Sequence, residues 1–282
     1  MHIRVLGPLT VLDDEMRPIQ LAPKPKRLLA MLAMDADRAI SVHSLEQELW
    51  GDAPPRTATA TIQTYIGQIR RSLATALGIS VAEAAETILV TEGSSYLLSS
   101  ARTTLDITEY ERLAEAGARA VRHGDYARGA VLLREALSLW RGAPLVNVET
   151  GELLGARVLH LEESLLCAQE HRIFADLQCG VHRNLIAELS ELTSLHPLHE
   201  NLHGHLMLAL YRSGRRAESL AVVRRLRRRL VSELGLEPSP FLLQMEQDIL
   251  RGEASLDPTP ASRTTCTQDP HRFELALASA AG

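Results

Sequence analysis

Aromatic residues are scarce in this chain of 282 residues: three Phe, two Trp and five Tyr, against a hydrophobic content of 45%. A core with so few rings has to be filled by Leu and Ala packed between helices, so a mostly helical protein of two domains is expected. No apolar run approaches the roughly 18 residues needed to span a bilayer, and no charged, apolar and small-residue sequence marks a secretory leader at the N-terminus. Cys167, Cys179 and Cys266 are too few and too scattered for a disulfide framework or a cysteine-based zinc site, which fits a reducing cytoplasm. A phosphate-cradling loop of the Gly-rich Lys-Ser/Thr type, a Gly-x-Ser-x-Gly elbow and a convincing Cys-His pair are all missing, so no enzyme is expected, nor any cofactor. His199 and His203 are four residues apart with His196 and His205 nearby, but no third ligand accompanies them in a zinc-binding pattern, and no metal is expected.

A strong basic excess is missing too. The net charge is −5, and residues 1 to 100 hold nine Lys/Arg against eleven Asp/Glu. Such a balance limits sequence-independent attraction to nucleic acid, so any DNA affinity per monomer should be modest and salt-sensitive.

What the chain does have is a readable helix over 57–73. Ile62, Ile66, Ile69 and Leu73 recur at spacings of four, three and four, which places them in one apolar stripe. Gln63, Thr64, Gly67, Gln68 and Arg71 fall on the other face, which carries almost no acid. Thr57 and Thr59 are candidate N-caps, Pro54 and Pro55 stop any earlier helix, and Arg70 and Arg71 suit the negative end of the dipole. Upstream, Ser41 to Trp50 reads as a second short helix, capped by Ser41 or Ser44, with Leu45, Leu49 and Trp50 facing inward. Two helices joined by a loop, the second offering Thr and Gln outward, is the arrangement that sets a recognition helix into a major groove.

The flanks complete the pattern. Residues 3–12 read as two short strands broken by Gly7-Pro8, and Arg17–Leu21 as another extended piece, giving a small antiparallel N-terminal sheet. Lys26–Asp35 makes a first helix with Pro25 at its first turn. An Ala/Glu-rich connection over 81–86 leads to Ile88–Leu98, a hairpin around Gly93-Ser94.

From Leu105 to Gly252 the pattern is almost continuously helical and contains internal likeness. Arg122, Gly124, Ala127 and Arg134 match Arg212, Gly214, Ala217 and Arg224 at an offset of 90, while Gly180 and Gly214, like Ala187 and Ala221, are 34 apart, the tetratricopeptide period. Arg224, Arg225, Arg227, Arg228 and Arg229 form a cluster open to two readings, a nucleic-acid stripe or a solvated face partly paired with acids such as Glu218 and Glu233; the second is favoured, with nonspecific DNA or subunit contacts as an addition to it.

Residues 3–98 resemble the OmpR-type winged-helix domain, and the whole chain resembles a small member of the Streptomyces antibiotic regulatory protein family. The residues that carry this are Val5–Leu9, Leu49–Pro55, Thr61–Ile66 through Arg70-Arg71, and Tyr96–Leu98, followed in the helical half by 196–200, 206–215 and 234–240. Glu92 and Ser95 depart from the family's wing, which usually has a basic residue after Thr91 and a Gly before Tyr96, and the Glu92 carboxylate repels phosphate, which counts against a minor-groove contact by the wing. The resemblance implies an α+β winged helix over 1–100 and an all-α tetratricopeptide-like transcriptional activation domain over 101–252; the polar, Pro-containing composition that follows is read as a mobile tail over 253–282. The resemblance also implies an activator of an antibiotic gene cluster that binds promoter direct repeats as a head-to-tail dimer and touches RNA polymerase through its sigma and alpha subunits. Gln63, Thr64, Gly67 and Gln68 would then read bases, with Gln bidentate on adenine. Thr59, Arg70, Arg71, Ser95 and Tyr96 would hold phosphates, and Trp50, Asp52 and Arg56 would meet the polymerase. A cytoplasmic, nucleoid-associated location follows, with no membrane partner. Two other readings stay open: a tetratricopeptide adaptor without DNA affinity, and a regulator that senses a small ligand in its helical groove.

Overall fold

The computed structural model describes residues 1–253 and 256. The tail expected from residue 253 therefore lies almost wholly outside the described residues. The chain divides into two compact units, one of Met1–Ala114 with Glu135–Cys167, the other of Glu115–Arg134 with the described residues from Ala168 on.

In the first unit, β1 (His2–Arg4) and β2 (Thr10–Leu12) pair antiparallel, and Pro18 adds a single bridge to Leu12. The sheet is not purely antiparallel as expected. Its third strand, β6 (Thr104–Leu105), lies parallel to β1 on the side away from β2. Helix α1 (Pro23–Met34) buries Leu28, Leu29 and Leu32. A two-residue strand, β3 (Ile40–Ser41), leads directly into α2 (Val42–Trp50), and Ser41 Oγ accepts the Ser44 N–H at 3.1 Å as its N-cap. Helix α3 (Ala58–Leu77) buries Ile62, Ile66, Ile69 and Leu73 to 1% exposure or less, the stripe expected from their spacing. Each such side chain removed from water contributes on the order of 1.5–3 kcal/mol. Gly78, at φ +65°, closes α3 in the left-handed conformation that glycine adopts without strain.

The expected connection over 81–86 is instead a helix, α4 (Val81–Thr87), because Ser80 Oγ caps the Glu83 N–H at 3.0 Å and Glu83 sits favourably in the first turn. Strands β4 (Leu89–Glu92) and β5 (Ser95–Leu98) then form the hairpin, with Ile40 and Ser41 of β3 paired to Tyr96 and Ser95. Gly93, at φ +59°, supplies the first central position of a two-residue turn matched to strand twist.

The rest of the chain supplies α5 (Asp106–Arg122), α6 (Tyr126–Ser138), α7 (Glu152–Gln178), α8 (His182–Leu195), α9 (Glu200–Arg212), α10 (Arg216–Leu234) and α11 (Pro240–Arg251). The internal likeness seen in sequence is geometric as well. The α5–α6, α7–α8 and α9–α10 turns each place a glycine at φ +78° to +81°, namely Gly124, Gly180 and Gly214. In each turn the following N–H reaches back to a carbonyl of the preceding helix: Asp125 to Ala120, Val181 to Asp176 and Arg215 to Leu210, at 2.9–3.0 Å. The same bonds recur because each turn satisfies its orphan helix-end carbonyls in the same way. Gly117 admits the Leu133 side chain, whose Cγ would lie 2.6 Å from an added Cβ, so within the second unit these helices approach closely only because that position has no side chain.

Candidate nucleic-acid interface

Packing of the apolar stripe against the core turns the opposite face of α3 outward. Gln63, Thr64 and Arg71 are exposed and Gly67 and Gln68 half-exposed, so the base-reading residues expected from sequence do share one accessible helix face. A Cβ added at Gly67 would meet nothing within 4 Å. The glycine is therefore not demanded by packing inside the protein; what it provides is a shallow place on the outward face where another molecule's atoms can come close to the backbone. Thr64 Oγ1 donates to the Ala60 carbonyl at 2.9 Å, which leaves its methyl and oxygen lone pairs, rather than its proton, for an outside partner.

Several side chains expected at phosphates are committed inside the unit. Arg70 donates from Nε and Nη2 to the Leu89 carbonyl at 2.9 and 2.6 Å and from Nη2 to Thr91 Oγ1 at 2.7 Å, and lies over the Tyr96 ring at 5.9 Å. Burial pushes its guanidinium pKa down from the ordinary arginine value. Arg70 thus ties the hairpin to α3. Tyr96 is 6% exposed, and its ring takes part in that tie. Thr59 Oγ1 donates to Glu46 Oε1 at 2.6 Å, a carboxylate on α2 that also draws negative charge toward this end of α3. Thr57 occupies the N-cap position of α3 without a side-chain cap bond. Arg71 remains the exposed cation of the expected set, and Ser95 is half-buried behind an exposed hairpin tip of Glu92, Gly93 and Ser94. The Val42 N–H bonds the Ser94 carbonyl at 3.0 Å, fixing that tip beside the start of α2, a contact that no local pattern announces.

Every residue of the α2–α3 loop from Gly51 to Thr57 is exposed, Asp52 and Arg56 among them. Trp50 is half-buried, with Lys24 Nζ 5.9 Å from its ring. Of the histidines from which no metal site is expected, His199 faces Glu170 at 3.2 Å and His203 Nε2 meets the Pro197 carbonyl at 3.1 Å. Among the described residues no three candidate ligands converge on a metal position.

A helix–loop–helix with a flanking hairpin, an N-terminal sheet and a following run of paired helices defines a winged-helix regulator joined to a helical effector domain. Residues 16–98 match the family described as transcriptional regulatory protein, C terminal, and residues 105–250 match the bacterial transcriptional activator domain. The chain is 42% identical to the regulatory protein DnrI of Streptomyces peucetius over 91% of its own length and 94% of that protein's. It is 33% identical to the transcriptional regulator RedD of Streptomyces coelicolor, over 89% of this chain and 70% of RedD. Among solved structures, Mycobacterium tuberculosis EmbR in complex with a low-affinity phosphopeptide superposes with a TM-score of 0.84 at 30% identity, over 94% of this chain and 68% of that one. The chain belongs to the Streptomyces antibiotic regulatory protein family of transcriptional activators. It is a regulator, not an enzyme. No described helix is long and apolar enough to cross a membrane.

Proposed function

We propose that this activator inserts α3 into the major groove of promoter DNA, binds direct repeats as a head-to-tail dimer, and recruits RNA polymerase to the genes of an antibiotic biosynthetic cluster. The observation that carries the reading is the outward α3 face, where Gln63, Thr64 and Gln68 surround a glycine with open space above it. Paired donor and acceptor groups on Gln match adenine, and the Thr64 methyl matches the thymine methyl. Arg71 and the hairpin tip hold the backbone, and Arg70 acts through the hairpin it positions. Asp52 and Arg56, exposed on the α2–α3 loop, are assigned to the polymerase sigma and alpha subunits, with Trp50 supporting the loop. The paired helices are read as tetratricopeptide-type units, and the protein works in the cytoplasm at the nucleoid.

Gly67→Leu tests the docking, because the added side chain has room in the protein but not against a base pair. Gel shifts and footprinting on DNA upstream of neighbouring biosynthetic genes should show two protected repeats for the wild type and loss of that protection for Gly67→Leu at unchanged melting temperature. A folded wild-type protein that fails to prefer this DNA over random duplex at low salt would favour an adaptor without DNA affinity, a reading that Glu92 at the hairpin tip and the acidic balance of residues 1 to 100 support.

A further inference from the structure

Helix α10 sorts its arginines by what they face. Arg227 is half-buried and pairs with Glu237 at 3.1 Å and Glu246 at 3.5 Å, which joins α10 to the chain leading into and along α11. Arg224, Arg225, Arg228 and Arg229 are exposed, and none of the four takes part in an ion pair among the described residues. The expected pairing to Glu233 is not formed, and Glu218 is taken by Arg215 at 2.6 Å. At 100° per residue the four make two rungs, Arg224 with Arg228 and Arg225 with Arg229, each pair four residues and so about 6 Å apart along the axis. Ala221 lies on this face one turn before the arginines and Ser232 one turn after them, both exposed and both small, while the exposed Val231 follows Arg228 on the flank of the first rung.

We infer that this face of α10 is a second, sequence-independent contact to the phosphate backbone of duplex DNA. It rests on the DNA-binding reading above and adds to it a residue set outside the winged helix. A folded protein partner or peptide needs a cluster of apolar anchors at the centre of its charges, and here the exposed Val231 and Leu234 stand at the C-terminal edge of the four arginines rather than among them. A duplex needs only cations, presenting a dense, delocalised array of negative charge, and arginine donates to phosphate with a planar fork. The winged helix leaves that demand unmet: nine bases stand against eleven acids over residues 1 to 100, and Arg27 and Arg70 are committed internally.

The test uses the full chain with all four arginines changed, Arg224→Gln, Arg225→Gln, Arg228→Gln and Arg229→Gln, keeping helix propensity and the Arg227 pairs. Binding to a promoter duplex and to a random duplex of equal length is measured by fluorescence anisotropy over a range of KCl concentrations, with far-ultraviolet circular dichroism confirming the fold. The slope of log affinity against log salt should fall by roughly 0.9 for each phosphate that the variant no longer neutralises, so by about 2 to 4, with affinity for the two duplexes reduced by the same factor and the footprint unmoved. An unchanged slope and affinity overturns the inference; if transcription is abolished at the same time, the face meets an acidic protein instead, and if nothing changes it is a solvated surface. Gly67→Leu serves as the contrast, losing promoter preference while keeping random-duplex affinity. Absence of all DNA binding by the wild type would fail the proposed function itself.

Discussion

Arg70 and Arg71 are adjacent in sequence, yet a helix turns them 100° apart, and the fold gives the first to the hairpin and the second to solvent. Arg71→Ala should lower the salt slope of DNA binding by about 1 and weaken all sequences alike, with the melting temperature unchanged. Arg70→Ala should instead leave the Leu89 carbonyl short of its donors, a loss of about 1–3 kcal/mol that urea denaturation would register, with faster amide exchange across the hairpin. Full stability in Arg70→Ala together with a reduced slope would return Arg70 to the phosphate set. A second residue-scale effect lies in α9. His205, mostly buried beside the Phe174 ring at 6.3 Å, has its pKa pushed down to about 4 by desolvation, and the buried His203 is lowered for the same reason. The unfolded chain therefore binds more protons than the folded one between about pH 4 and the ordinary histidine value of 6.5. Stability from His205 is complete above that range and is lost as pH falls through it, by at most roughly 3 kcal/mol. Melting temperatures at pH 7 and 4.5 should differ less in His205→Gln than in the wild type; an equal drop in both would assign the acid sensitivity elsewhere.

Helix α2 contributes through a residue that faces neither DNA nor solvent. Glu48, with a fully buried side chain, accepts Arg27 Nε at 2.7 Å, the Gly151 N–H at 2.6 Å and the Leu154 N–H at 2.9 Å, so one carboxylate joins α1 and α2 to the first turn of α7. Arg27 also donates to the Glu48 carbonyl, and an added Cβ at Gly151 would run into that same pair. Glu48→Ala leaves a buried guanidinium and two helix-end N–H groups without their acceptor, and should cost about 3–5 kcal/mol in urea denaturation. The double change Arg27→Met with Glu48→Met should be milder than the single one; a Glu48→Ala protein within about 1 kcal/mol of wild type would show that water replaces the carboxylate freely. None of this is legible in sequence, because it depends on residues from far along the chain arriving at α2. The α3 stripe is legible because its spacing is the helix period itself, and Ser41 and Gly93-Ser94 are legible because capping and turn chemistry are local. Strands β3 and β6, two residues each, exist only through their partners, and α4 is short enough that its Ser80 cap decides it more than its composition does. The same contrast separates the site residues. Gln63 and Thr64 follow from periodicity, whereas the withdrawal of Arg70, Tyr96 and Thr59 into internal contacts depends on where the hairpin and α2 come to lie.

At the scale of the whole molecule, a chain with 30 Lys/Arg and 35 Asp/Glu has little general attraction for a polyanion, so α3 with Arg71 beside it, docked as proposed, should hold one half-site only weakly. In the proposed mode of binding, promoter occupancy would depend on two copies binding together, each gaining from contact with the other, and that gain would exist only if both α3 helices met the same side of the duplex. Head-to-tail copies on direct repeats satisfy this when the repeats are separated by one helical turn, about 10 to 10.5 base pairs. Inserting about five base pairs between the repeats rotates the second half-site by half a turn and should reduce affinity to that for a single repeat, while inserting a full turn of about ten should restore the shared face and, if the subunit contact can stretch, part of the cooperativity. Titration of the three duplexes by anisotropy, with the stoichiometry read by analytical ultracentrifugation, measures this directly. Equal affinity for all three, at one protein per duplex, would leave the major-groove reading of α3 standing but remove the dimer from it.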